Sequence, residues 1–380
     1  MRLKNIFVVL LIALTCSALF FAAFWASSAL PVQDLAQYWA AAHLVAKNPY
    51  SLELTRQFEQ SAGIYSTPLV TKIPPWAIML VLPLGLLGYH LSFALWASMS
   101  VAVIASCTYA TSRKLYPRSS LAPAILPFIF GPTFVLLMLG QFTVLVLLGI
   151  VLFCYFVRNR REWLAGASLL LVLGKPHVAL LFLITVFLWI AYTKRWAILV
   201  AGSLTLSFAS LAALLINHHI FRQFHERSLL VVHETESYPN LGGILYSISG
   251  VHLLALLPQI AGVVWVFFYW KSHRANWEWL RDGMLVLLVS VTCSYYSYPY
   301  DQILGLPALI SAFATGKRRG FLVPFVLSDL GYAIYISNAA GLFGFGYMFL
   351  WWTGLGWLAA YLLAQTQFRK PALPDFATQQ

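Results

Sequence analysis

Long apolar runs separated by short polar breaks, most of them basic, set the pattern of this chain. The first run extends from Ile6 to Leu30, follows Arg2 and Lys4, and is stopped by Pro31. It is longer than the apolar core of a leader peptide and is expected to stay in place as a membrane span. Further runs cover 89–112, 121–139, 142–157, 163–174, 176–192, 196–217, 251–270, 283–298, 302–315, 321–338 and 345–364. Basic residues close alternate runs: Arg113, Lys114 and Arg118; Arg158, Arg160 and Arg161; Lys194 and Arg195; Lys271, His273 and Arg274; Lys317, Arg318 and Arg319; Arg369 and Lys370. Lys and Arg collect on the cytoplasmic side of membrane proteins, so the alternation predicts an all-α protein of about twelve spans with its N-terminus inside. The stretch 163–192 reads as two short spans around Lys175, or as one.

The breaks on the opposite side are longer and carry patterned polar residues. In a first outer loop, 31–88, Asp34, Gln37 and Tyr38 fall on one side of a helix over 34–46. Leu35, Trp39, Ala42 and Val45 form its apolar side, as in a helix lying along a membrane. A second amphipathic piece covers 52–62. Pro74 and Pro75 suit the first positions of a helix, where no backbone donor is needed. The apolar run they open ends at Gly88, too short for a crossing, and reads as a half-inserted helix whose ends other protein must cover. A second large outer loop, 218–250, ends in a Gly-rich piece, 241–250, that dips back toward the membrane. No internal repeat is visible, and 1–380 reads as a single integral membrane domain.

Composition narrows the class. Hydrophobic residues make up 61% of the chain and charged ones 9%, with a mean hydropathy of +0.78. Such depletion of charge belongs to an integral membrane protein, not to a soluble core. The net charge of +12 sits in short clusters between apolar runs, which is the loop signal and no phosphate-backbone stripe, so nucleic acid is not an expected partner. The four cysteines, Cys16, Cys107, Cys154 and Cys293, all fall within apolar runs and form no C-x-x-C pair. Neither a disulfide framework nor a thiolate metal site is indicated.

Candidate chemistry gathers on the outer side. Asp34 is a carboxylate within a few residues of hydrocarbon, a functional candidate by position. It reads as the N-cap of the following helix, as a general base, or as both. His218, Arg222 and His225 fall at i, i+4 and i+7 of a helix, forming a solvated polar face or an anion site. His225-Glu226 lacks the second histidine of a zincin, and no metal is expected. Arg222 suits a phosphate by its planar fork and Lys175 as a point charge, with an interfacial anchor and a snorkelling lysine as their ordinary alternatives. Lys72 and His233 are further cations for the same anion. Asp301 reads as a helix cap first and a second acid otherwise. Asp329, within a span, reads as a buried hydrogen-bonded group of unnamed partner.

Several of these pieces resemble one family. Asp34-Leu-x-x-Tyr38-Trp39-x-Ala-Ala followed by Asn48-Pro-Tyr50, then Pro74-Pro75, Leu82-Pro-Leu84 and Trp96, is similar to the start of glycosyltransferase family 87. Gly140-Gln141, Gly174-Lys175-Pro176 and Tyr298-Pro-Tyr-Asp301 resemble its later features, so the likeness runs over most of 30–310. Phe142-Thr143 after Gln141 and Leu241-Gly242 after Asn240 depart from it. The resemblance implies a multi-span GT-C fold with membrane-parallel helices and an acidic base, here Asp34, in the first outer loop. It also implies a polyprenyl-phosphate donor, a mannosyl or other sugar, and a glycolipid or glycan acceptor at the outer face of the cytoplasmic membrane.

On that footing Lys175, Arg222, His225, His218 and Lys72 are the expected donor-phosphate ligands. Gln37, Tyr38, Gln141, Tyr298, Tyr300 and Asp301 are the expected substrate contacts, with no cofactor. A lipid or solute transporter would carry charges near the bilayer midplane and matched halves. A non-catalytic subunit of a polysaccharide assembly or export system fits any hydrophobic profile. Both stand as alternatives to an inverting glycosyltransferase.

Overall fold

The computed structural model describes residue 22 and residues 34–64, 68–115, 122–231, 238–315, 318–339 and 346–365. The run 6–30 apart from residue 22, with Arg2, Lys4, Cys16 and Pro31, lies outside them, as do Arg118, His233, Glu234, Glu236, Lys317, Arg369 and Lys370. Every regular element among the described residues is helical. Besides short 3-10 and π turns, the α-helices in chain order are α1 (Leu35–His43), α2 (Leu52–Ser61), α3 (Pro75–Val81), α4 (Tyr89–Leu115), α5 (Ala122–Ile129), α6 (Gly131–Leu139), α7 (Thr143–Arg158), α8 (Glu162–Val172) and α9 (Leu180–Thr193). There follow α10 (Trp196–Ile216), α11 (Ile220–Val231), α12 (Leu241–Ser249), α13 (His252–Ala255), α14 (Leu257–His273), α15 (Met284–Cys293), α16 (Leu306–Thr315), α17 (Arg318–Ala339) and α18 (Thr353–Gln365).

Four stretches among the described residues are long and apolar enough to cross a membrane: Tyr89–Ser112, Trp196–Ile216, His252–Asn276 and Gly320–Ser337. Less than half of each one's most apolar window is buried inside the protein. Phe208, Leu215 and Phe268 stand out from these helices, each more than two-thirds exposed. In water such a surface drives association; in lipid it is solvated. The stretch 163–192 forms two helices, α8 and α9, separated by a turn at 173–179. At 11 and 14 residues they reach about 16 and 21 Å, against a hydrocarbon core of about 30 Å. α8 packs between α7 and α10.

Three of the basic breaks meet at one end of this bundle. Arg195, between α9 and α10, pairs with Glu162 at the start of α8 at 3.7 Å. Arg274, after α14, lies over the Tyr192 ring of α9 at 5.4 Å. Arg158, Arg160 and Arg161 occupy the α7–α8 turn beside Glu162.

The opposite end is built from the described parts of 31–88 and 218–250. α3 is a seven-residue helix with Pro75 at its start, continued as a tight 3-10 turn over Leu82–Leu86. Its exposed carbonyl ends are met by protein, as a buried helix terminus requires. Trp39 Nε1 donates to Leu87 O at 2.8 Å, Ser92 Oγ donates to Leu84 O at 2.9 Å, and His43 Nδ1 lies 3.2 Å from Gly85 O. Sequence periodicity places α1 on the membrane surface; the structure instead wedges it into the protein. Leu35, Ala36 and Ala40 are inaccessible to solvent and Tyr38, Trp39 and Ala42 nearly so. The small Ala36 and Ala40–Ala42 let Leu82–Leu86 and α3 approach it closely. α2 is amphipathic as its periodicity predicts, opened by Ser51, whose side chain accepts from Leu54 N. Asn217, in the turn between α10 and α11, donates through Nδ2 to Val45 O at 3.0 Å and Lys47 O at 2.9 Å, tying that turn to the segment after α1.

Candidate active site

Asp34 stands immediately before α1 with helical backbone angles, and its side chain caps no backbone amide. Its role as a helix cap is therefore not the one the structure uses. Gln141 Nε2 donates instead to Asp34 Oδ2. Burial pushes the Asp34 pKa above the ordinary carboxylate range. Lys175 and the Gln141 hydrogen bond pull it down, Asp301 pushes it up, and Lys72 pulls it down.

Gln141 reaches Asp34 because α6 ends at Gly140 in the left-handed region, φ +68°. A Cβ there would lie 2.8 Å from the Leu35 Cβ, so glycine serves both the turn and the approach of α1. Behind Gln141 a cation is held. The turn after α8 passes Gly174, where a Cβ would sit 2.2 Å from the Phe142 ring, and delivers Lys175. Lys175 Nζ donates to Gln141 Oε1 at 3.2 Å, Thr143 Oγ1 at 3.1 Å and Asp301 Oδ1 at 3.1 Å. It also stands 4.7 Å from the Tyr300 ring centre. Asp301 is fully buried. Its Oδ2 accepts from Tyr298 N at 3.0 Å, capping the 3-10 turn Pro299–Gly305 as the cap reading predicts. Its Oδ1 accepts from Lys175 and from Thr143 Oγ1. A buried pair with every charge hydrogen-bonded is the arrangement that offsets desolvation.

This network forms one wall of a cavity of about 730 Å³. Asp34, Lys72, Lys175 and Arg227 are its charged side chains, and Ile73, Pro74, Val135 and Leu139 give it an apolar side. Tyrosines 38, 238, 246, 295, 296, 298 and 300 line much of the rest, presenting ring faces with polar tips. Three cations against one carboxylate at the surface suit an anionic ligand. His177 also lines it, its ring edge-on to Tyr296 at 4.9 Å. Burial pushes its pKa down to about 4, with Asp301 opposing and Lys175 adding to the shift, so the ring is neutral near pH 7. Among the described residues no three His, Cys, Asp or Glu side chains gather as metal ligands.

The expected site residues thus divide. Asp34, Gln37, Tyr38, Lys72, Lys175, Tyr298 and Tyr300 meet at the cavity. Gln141 and Asp301 lie behind its wall, 1% and 0% exposed, bonded to protein groups. Arg222 is paired with Glu226 at 2.9 Å on the exposed side of α11. His218 and His225 are also exposed and do not line the cavity. The inner face of α11 carries Phe224, Arg227 and Ser228 to the cavity, at i, i+3 and i+4. The signal for that face is the aromatic stripe Phe221–Phe224, which packs on Trp76 and Tyr50. Asp329, in α17, accepts from Gly131 N at the start of α6 at 2.6 Å, the partner its position in a span left unnamed.

In comparison with known proteins, the family model described as Glycosyltransferase family 87 matches residues 73–294, more than half of the chain. The match begins after Asp34 and ends before Asp301. No curated protein and no solved structure matches the chain.

Proposed function

The chain belongs to glycosyltransferase family 87 and is a membrane glycosyltransferase; from that premise we propose an inverting transfer from a polyprenyl-phosphate-linked hexose, mannose first, to a lipid-linked or glycan acceptor. The observation that carries this reading is a half-buried carboxylate, Asp34, on the wall of a cavity whose other charged side chains are cations. Asp34 takes the proton of the acceptor hydroxyl as its oxygen attacks the anomeric carbon. The bond from that carbon to the phosphate oxygen breaks, and polyprenyl phosphate leaves with the electron pair. Lys72 and Arg227 meet the charge growing on the leaving group, with Lys175 beside them. A single displacement inverts the anomeric centre. Lys72 and Arg227 take the phosphate role in place of Arg222, His225 and His218. Gln37, Tyr38, Tyr298 and Tyr300 contact the sugars.

The same reading gives the chain a GT-C layout of about twelve spans as one membrane domain. The cavity then opens at the outer face of the cytoplasmic membrane, between the loops 31–88 and 218–250. Asp34→Asn separates this chemistry from a structural role, since it keeps the size of the side chain and a hydrogen-bonding group toward Gln141. With polyprenyl-phosphate mannose and a membrane acceptor fraction, turnover is expected to fall about a hundredfold or more while donor binding persists. Transfer at the wild-type rate would remove Asp34 from the reaction.

A further inference from the structure

We propose that Gln141 is the positioning residue of the base: its amide, clamped by Lys175 and Tyr38, turns its N–H onto one oxygen of Asp34 and links the lysine charge to that carboxylate. The inference rests on the reading of Asp34 as base. An amide oxygen has two acceptor sites and the amide nitrogen two donors. Both acceptor sites of Gln141 are filled by groups that donate, Tyr38 Oη at 3.0 Å and Lys175 Nζ at 3.2 Å. An ammonium cannot accept, so the opposite orientation of the amide would set N–H against N–H. The amide therefore points its nitrogen at Asp34, and Oδ2 of the carboxylate is committed. Among the described residues Oδ1 has no such bond, and it is the oxygen left to take a proton.

Gln141 does not line the cavity, and Asp34 is the one cavity residue to which its amide donates among the described residues. Lys175 forms its ion pair with Asp301 rather than with Asp34, so the amide is the only bonded path between that cation and the base among the described residues. The titratable or charged groups around Asp34 include Tyr38 on its own helix, Lys72 before α3, Lys175 and His177 in the turn after α8, and the cavity tyrosines 238, 246, 295, 296, 298 and 335. Tyr300 and Asp301 face it from the 3-10 turn, with Arg227 and His252 across the cavity. Burial favours the protonated carboxyl, which cannot act as a base. The Gln141 hydrogen bond and the Lys175 charge both favour the ionised form.

The test titrates Asp34 in the full chain held in lipid nanodiscs, following the infrared carbonyl band of its protonated form. The same protein carrying Asp34→Asn isolates that band. Gln141→Met has similar length and no donor. Gln141→Glu keeps the size and the acceptor for Tyr38 and Lys175, and in its ionised form removes the donor and adds a like charge. Either variant is expected to raise the Asp34 midpoint by about one to three pH units, tenfold in proton affinity per unit. The acid limb of kcat/KM with polyprenyl-phosphate mannose should move up with it. A buried polar residue serving only to fill space would lower stability and leave the midpoint in place. A midpoint unchanged in the folded variants overturns the role of Gln141 alone. Transfer retained by Asp34→Asn overturns the base reading instead, whatever the titration shows.

Discussion

Arg222 and Arg227 share α11 and face different ways. Five residues at 3.6 per turn set them about 140° apart around the helix. Arg222 lies in solvent against Glu226, a pair of exposed side chains worth less than about 1 kcal/mol. Arg227 lies on the cavity. Arg227→Gln and Lys72→Gln are accordingly expected to lower kcat/KM for a polyprenyl-phosphate donor about ten- to hundredfold, as loss of a charge-assisted contact does. Arg222→Gln should stay within about twofold, as expected for an exposed pair. Steady-state kinetics on the three purified variants checks this, and equal losses at Arg222 would move the phosphate site. Asp34, Lys175 and Asp301 were legible in the sequence because charge is rare in so apolar a chain. Arg227 was not, since a regular polar stripe marks what water solvates, and a cation on the aromatic face breaks no pattern. The bond from Gln141 to Asp34 spans 107 positions, and only the packing of α1 against the end of α6 creates it.

At the scale of elements, the turn after α8 carries the cation and depends on Gly174. Trp76 Nε1 donates to Leu173 O at 3.0 Å, pinning that turn to α3. Phe142, beneath Gly174, is fully buried and meets the Tyr38 ring at 6.1 Å, edge to face. A Gly174→Ala side chain must displace the Phe142 ring, and overpacking of this kind costs about 1–3 kcal/mol. The melting temperature in detergent should fall, and transfer should fall further because Tyr38 and Lys175 move with the ring. Gly88→Ala is the matched control, with nothing within 4 Å of its added carbon; it should change neither. A Gly174→Ala protein with unaltered melting and transfer would show that the turn does not need this approach. The short helix from Pro75 was legible because two prolines and a fifteen-residue apolar run leave few alternatives. The burial of α1 was not: its alanines read as weakly apolar, whereas their small size is what admits neighbours on every side.

Among the described residues three of the basic breaks that the sequence marks, 158–161, 194–195 and 271–274, come together at one end of the molecule, away from the cavity. Lengths of spans were less readable, because an apolar run does not say how much of it lies against lipid and how much against protein. α8, α9 and α15 are apolar yet short, and more of their surface is covered by neighbouring helices than in α10 or α14. On the proposed function, the end holding Asp34 and Lys175 faces the compartment into which a lipid-linked donor presents its phosphate. Single cysteines test this in a background where the four native cysteines are replaced by serine or alanine. Lys47→Cys and Ser249→Cys sit exposed at the cavity end, and Asn159→Cys, Lys194→Cys and Ser272→Cys sit exposed at the basic end. A membrane-impermeant maleimide should label the first two in intact cells and the other three only after the membrane is opened, as the bias of basic residues toward the cytoplasm requires. Labelling of both sets from one side would contradict the division of the molecule into two faces. A reversed pattern would keep the two faces and place the transfer reaction in the cytoplasm, with its donor drawn from the inner leaflet.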